Sequence, residues 1–189
     1  MRLILASASP RRAELLTSAG FDFDVAPAGV DESARPAEPA RTYALRVARA
    51  KAAAAGALCQ APASAILAAD TVVVVDEEIL GKPRDREDAQ RMLRLLSGRV
   101  HEVLTAVVLK TGSRDQAEVV TTRVSVIPLD EADIEWYVAS GEPEGKAGAY
   151  AIQGRAARFI DRIEGSWSNV VGLPLAAVAR MLKQAAVAD

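Results

Sequence analysis

Leu3-Ile4-Leu5-Ala6-Ser7-Ala8-Ser9-Pro10-Arg11-Arg12-Ala13-Glu14-Leu15-Leu16 reads as strand, short polar turn and helix. Leu3 to Ala6 is an apolar run with the length of a buried strand. Ser7 and Ser9 flank Ala8 in the turn. Serine is a favoured N-cap, and Pro10 falls at the first helical position, where its missing N–H costs nothing. Leu15, Leu16 and Ala19 then face the core, and Gly20 ends the helix. The turn offers backbone N–H groups, two hydroxyls and the Arg11 and Arg12 guanidiniums at the positive end of a helix. Anions bind at such ends, and arginine matches phosphate oxygens in a fork. Two arginines there without an anion would oppose the helix dipole. The stretch is a phosphate cradle, or else a capped helix with two solvated arginines.

The chain has 189 residues, enough for one domain or two closely joined lobes, and its 50% hydrophobic and 25% charged content is that of an ordinary globular protein. A net charge of -2 gives no global attraction to nucleic acid or anionic membrane, so any phosphate site must be local. The single cysteine, Cys59, excludes an internal disulfide and a cysteine-based zinc cluster. The single histidine, His101, excludes a multi-histidine metal site. No run is long or apolar enough to span a membrane, and Met-Arg-Leu-Ile leads straight into a strand without a signal-peptide pattern. A cytoplasmic location is expected, with no nucleic-acid and no membrane partner.

Outward from the opening stretch, Phe21 to Val25 alternates apolar and acidic residues as a half-exposed strand does. Ala26 to Pro39 reads as a long loop with Asp31, Glu32 and Ser33 at its centre, and such loops are often functional. Ala40 to Leu58 is an alanine-rich helix suited to close packing on a sheet, with Leu45, Ala48 and Ala52 on one stripe. On pattern alone Lys51 is a surface lysine near its end. Ala65 to Ala69 is a second buried strand that runs through Asp70-Thr71 into Val72 to Val75. Asp70, between two apolar runs, must be paired, metal-bound or facing a cleft, because burying an unpaired carboxylate is costly.

Asp76-Glu77-Glu78 reads as a turn. Gly81-Lys82-Pro83 is not a P-loop, since the upstream glycine is absent and proline stands where a magnesium-holding hydroxyl would. Asp85 caps a helix from Arg86 to Leu96, stopped near Gly98. Val100 to Lys110 and Ala117 to Ile127 pair as strands across Gly112-Ser113. His101 at a strand edge reads as structural or surface, and without Gly-x-Ser-x-Gly a serine hydrolase is disfavoured. Asp130 caps a helix through Ala139. Glu142 to Gly154 is a glycine-rich loop in which Lys146, Tyr150 and Gln153 have chemistry to offer. Arg158 to Ile163 is a strand, Gly165 to Asn169 a turn, and Pro174 to Ala186 the closing helix. Alternating strands and helices with a central pair imply an α/β fold with a mixed sheet, plus a second small lobe from the middle third. Ligands usually bind in the cleft between lobes.

The irregular segments hold Arg11, Arg12, Lys51 and Lys82 against Glu32 and Asp70. Four cations suit a triphosphate, and two carboxylates suit a hard divalent cation, which commonly takes only one or two from protein. Ser7-Ala8-Ser9-Pro10-Arg11-Arg12, Ala69-Asp70-Thr71-Val72-Val73, Leu80-Gly81-Lys82-Pro83 and Lys146-Ala147-Gly148-Ala149-Tyr150-Ala151-Ile152-Gln153-Gly154 together resemble the Maf (septum-formation) family of nucleoside triphosphate pyrophosphatases. The resemblance runs from Leu3 to about Leu182, within one Maf-like domain over 1–189. It implies a mixed, curved sheet flanked by helices and two lobes with a deep central cleft, related to inosine triphosphate pyrophosphatases. It also implies a cytoplasmic enzyme, a divalent metal cation (magnesium, manganese or cobalt) and a homodimer.

The implied reaction splits a nucleoside triphosphate between its α- and β-phosphates. Carried over by motif, Asp70 would activate water and share the metal with Glu32. Ser7, Arg11, Arg12, Lys51 and Lys82 would hold the phosphates. Arg12, Thr71 and Gln153 match positions linked to base selection. Ala-Gly-Ala-Tyr-Ala-Ile-Gln-Gly resembles the dTTP/UTP branch, and an amide such as Gln153 can pair with a pyrimidine's carbonyl and N–H edge. Ala151 stands where relatives often have glycine, a change expected to be tolerated. The rival expectations are a 7-methyl-GTP pyrophosphatase of the same family and a non-catalytic nucleotide-binding regulator of cell division.

Overall fold

The computed structural model describes residues 2–58, 64–112 and 114–188. Cys59 and Ser113, used in the sequence argument, lie outside them. The opening stretch folds as its pattern implies: β1 (Arg2–Leu5), a turn over residues 6–9, and α1 (Pro10–Ser18) with Pro10 in its first turn. β2 (Asp24–Val25), α2 (Ala40–Leu58), β3 (Ser64–Val75), β4 (Glu78–Leu80) and α3 (Arg86–Leu96) follow. Then come β5 (Val100–Thr111), β6 (Arg114–Val126), α4 (Glu131–Ala139), β7 (Ile160–Glu164), α5 (Trp167–Val171) and α6 (Leu175–Ala188). The seven strands form one mixed sheet in the order β2-β1-β3-β5-β6-β7, with β4 beside β3. β1 runs parallel to β2 and β3, while β4 is antiparallel to β3 and β7 to β6. The α/β class with a mixed sheet is thus as expected.

The chain divides into two compact units, and β3, β5 and β6 each contribute to both. The first unit comprises residues 1–70, 105–120 and 172–189. Leu5, Leu16, Val47, Leu67 and Val107 are buried in its core. The alanine-rich face of α2 lies close on β3: a Cβ at Gly56 would stand 3.3 Å from Ile66 Cδ1. The second unit comprises residues 71–104 and 121–171, with Val73, Leu80, Leu93, Leu96, Ile134, Tyr137 and Phe159 buried. Asp85 and Asp130 cap their helices through Asp88 N and Asp133 N, each at 2.8 Å, as the sequence implied.

Several expectations need correction. Ala19 is exposed rather than buried, because α1 ends at Ser18 and Gly20 turns the chain at φ +77. The strand expected over Phe21 to Val25 shrinks to two residues, since β1 pairs only at Ile4↔Asp24 and Leu5↔Val25. Glu78 belongs to β4 rather than to a turn: Asp76 and Glu77, with φ 47 and 67, make a two-residue hairpin loop. The turn expected over Gly165 to Asn169 contains the start of α5, where Ser166 Oγ accepts from Asn169 N at 3.3 Å as an N-cap does. β6 begins at Arg114, earlier than expected. β7 begins two residues later than expected, because a 3-10 turn occupies Arg155–Phe159 and buries Phe159.

Candidate active site

In the first unit the β1–α1 turn is tied down by its own side chains. Ser7, buried, accepts from Ser9 N at 3.2 Å and from Arg12 Nη1 at 3.0 Å. The hydroxyl proton of Ser7 can still donate. Ser9 occupies the N-cap position but makes no side-chain cap bond. Arg12 is not a solvated arm: it is 8% exposed, and its Nε donates to Gly172 O at 2.8 Å. Arg11, one residue earlier, is half-buried. Burial lowers the Arg12 pKa and the charge of Asp70 opposes that, so the guanidinium and that carboxylate sense each other.

Lys51 reverses its pattern-based reading. It is 9% exposed and lies on the buried stripe of α2 with Ala44, Val47, Ala48, Ala52 and Ala55. Its Nζ sits 2.7 Å from Glu32 Oε1 and 2.8 Å from Asp70 Oδ1. The spacing 44, 48, 51, 55 is one helical face. That register was the available signal that Lys51 points inward. Asp70 ends the first-unit part of β3 and is 6% exposed. Of the three options open to it, pairing is realised. Burial raises its pKa, Lys51 and Arg12 pull it back down, and Glu32 adds to the rise.

Glu32 reaches this cluster from the long loop, and α2 holds that loop in place. Tyr43 Oη donates to Glu32 O at 2.7 Å, and Arg46 Nη2 donates to Ser33 O at 3.0 Å. Arg46 also grips Glu38 through Nε and Nη2, both at 2.7 Å, which holds the Glu38 carboxyl down at about 2. Tyr43, Arg46 and Lys51 therefore serve the loop from one helix. Sequence reasoning missed Tyr43 and Arg46, although their i,i+3 spacing beside an acidic loop was legible.

Thr71, Lys82 and Gln153 lie in the second unit. Thr71 is half-buried on β3, while Lys82 and Gln153 are exposed. The loop of Lys82 and the glycine-rich loop meet, since Gly148 N donates to Gly81 O at 3.1 Å. Gly148, at φ +68, lies so close to β3 that a Cβ would stand 2.9 Å from Val73 Cγ1. On the other side of Lys82, Asp88 Oδ2 accepts from Arg84 N at 3.2 Å. Ala151 is not among the positive-φ residues, so glycine is not required there. Tyr150, read as a side chain with chemistry to offer, is instead buried, with its hydroxyl 2.8 Å from His101 Nε2. Burial lowers the His101 pKa to about 4, which makes it a neutral structural histidine.

The donor set bears on the divalent cation. Two carboxylate oxygens converge on one cationic nitrogen at Lys51, and among the described residues no group of three or more His, Cys, Asp or Glu side chains could hold a metal. Glu32 and Asp70 are hard oxygen donors and fit a divalent cation whose other ligands are phosphates and water. Among the described residues, no helix is long and apolar enough to cross a membrane.

The model of the Maf family, described as "Maf-like protein", matches residues 2–185. A relative from Anaeromyxobacter dehalogenans named dTTP/UTP pyrophosphatase is 53% identical over 97% of this chain and 94% of its own length. Another Anaeromyxobacter protein of the same name is 55% identical over 97% of this chain and 89% of its own length. One from Photobacterium profundum, also so named, is 49% identical over 93% and 92%. A solved structure described as a nucleoside-triphosphatase and dITP/XTP pyrophosphatase from Mycobacterium abscessus superposes with a TM-score of 0.39 at 14% identity, covering 68% of this chain and 76% of that one. That likeness is too distant to carry an argument.

Proposed function

This chain belongs to the Maf family, and on that premise we propose that it hydrolyses dTTP, UTP and related pyrimidine nucleotides to nucleoside monophosphate and pyrophosphate. The observation that carries the reading is Asp70, a buried carboxylate meeting Glu32 at Lys51 beside Arg12. A buried carboxylate whose pKa is pushed up by burial and pulled back by neighbouring cations suits a general base.

Asp70 accepts a proton from water as the water oxygen bonds to the α-phosphorus and pyrophosphate leaves. Ser7 donates from its hydroxyl, and Arg11, Arg12, Lys51 and Lys82 balance negative charge on the phosphates. A divalent cation held by Glu32 and Asp70 would supply further positive charge to the phosphate oxygens. Thr71, Gln153 and Arg12 select the base. For Arg12 this role is indirect, because its guanidinium is already bonded to Ser7 and Gly172. We also read the protein as a cytoplasmic homodimer acting on free nucleotides rather than on nucleic acid or membrane. The net charge of -2 supports the last point.

The test is a nucleotide panel with product identification. Pyrophosphate release that is fastest with dTTP and UTP is the expected result. Preference for 7-methyl-GTP would overturn the base assignment. Tight dTTP binding without pyrophosphate release under any divalent metal would make the protein a nucleotide sensor instead.

A further inference from the structure

Gln153 is exposed on a loop, and a specificity side chain on a mobile backbone would select poorly. The backbone on both of its sides is bonded to one pair of side chains. Tyr137, fully buried on α4, donates its hydroxyl to Glu142 Oε1 at 2.8 Å and accepts from Ala151 N at 3.1 Å. Glu142 Oε2 accepts from Arg155 N at 2.9 Å, and Oε1 accepts from Ala156 N at 3.3 Å. Ala151 lies two residues before Gln153 and Arg155 two after. Gly154 N closes the span onto Ala151 O at 3.0 Å.

We propose that Tyr137 and Glu142 form a clamp that fixes the backbone around Gln153 and thereby sets base selectivity. They are positioning residues, and the proposal rests on the reading of Gln153 given above. Three donors converge on the Glu142 side chain, a need that a carboxylate meets because it only accepts. A glutamine there would aim its own N–H groups at one of those donors. Tyr137 is itself braced, its ring edge-on to the buried Phe159 at 5.8 Å. Gly154 belongs to the device as well: a Cβ there would lie 2.5 Å from both Glu142 carboxylate oxygens. Any larger residue pushes the carboxylate off its donors.

The experiment compares kcat and KM for dTTP and dATP in the full chain and in Tyr137→Phe, Glu142→Gln, Gly154→Ala and Gln153→Ala. The clamp predicts that Tyr137→Phe and Glu142→Gln each lower the dTTP-over-dATP ratio of kcat/KM by about tenfold, through a raised KM for dTTP. Gly154→Ala should do the same with both clamp residues in place. A merely structural pair would lower the active fraction, and so the apparent kcat for both nucleotides alike, leaving KM and the ratio unchanged. That result, with Gln153→Ala losing discrimination, overturns the clamp and leaves the Gln153 reading standing. An unchanged ratio in Gln153→Ala overturns both. Hydrogen exchange on the wild-type chain needs no variant: protected amides at Ala151 and Arg155 before nucleotide is added support the clamp, and rapid exchange there contradicts it.

Discussion

Lys51 shows how a single side chain can link stability to chemistry. Its ammonium and the Asp70 carboxylate are both almost wholly covered, with side chains 11% and 9% exposed, so removing the ammonium leaves the carboxylate short of a partner, whereas the ammonium keeps Glu32 when the carboxylate is changed. Glu32, at 40%, contributes less because water screens it. Breaking a buried pair from one side costs about 3 kcal/mol. Lys51→Met should therefore lower the urea-measured unfolding free energy by about that amount. An unchanged value would mean that Asp70 is satisfied elsewhere. Sequence pattern placed this lysine on the surface because charge outweighed register, yet the motif resemblance had already put it at the phosphates. His101 gives a second test at this scale. Its folded pKa, about 4, lies below the ordinary 6.5, so the unfolded chain takes up the proton first as pH falls. The stability that neutral His101 permits is fully present above about pH 6.5 and declines toward pH 4. By pH 5 the loss is about 2 kcal/mol. His101→Gln should remove that part of the wild-type pH dependence in denaturant titrations; identical slopes for both proteins would refute it.

At the level of elements, the two-residue loop at Asp76-Glu77 and the contact of Gly148 with β3 make opposite predictions. Both loop residues have positive φ, and glycine adopts such angles without the penalty of a Cβ. Glu77→Gly should stabilise the protein by about 0.5 kcal/mol, seen as a raised denaturation midpoint with an unchanged slope. Gly148→Ala should destabilise by about 2 kcal/mol, since it adds both φ strain and overlap with Val73. Combining it with Val73→Ala should cost less than the sum of the two single changes. Helices and caps were the most legible elements, because Asp85, Asp130 and Pro10 announce them chemically. β4 and α5 were not legible. β4 is three residues long after a turn without glycine, and α5 is a single short helix whose only mark is Ser166.

Across the whole molecule, the α/β class and mixed sheet were readable from alternating patterns, because strands and helices must each bury one face. The site residues were readable as types but not as an arrangement. Its place between two apolar runs singles out Asp70, and the family resemblance names Glu32 and Lys51, but their meeting depends on which loop α2 holds, through Tyr43 and Arg46. Nor could the pattern reveal that Arg12 bonds Ser7 and Gly172 or that Tyr150 meets His101. The cluster carries a stability consequence that bears on its role. Burial raises the Asp70 pKa despite two nearby cations, so its charge is held at a cost to the fold, as functional carboxylates often are.

The most direct measurement is therefore pyrophosphate release from dTTP by wild type and Asp70→Asn, each checked by thermal unfolding. With Asp70 as the base, the variant loses about 10²–10⁴-fold in kcat while its Tm is unchanged or higher. Near-normal turnover in a folded Asp70→Asn protein would contradict that assignment.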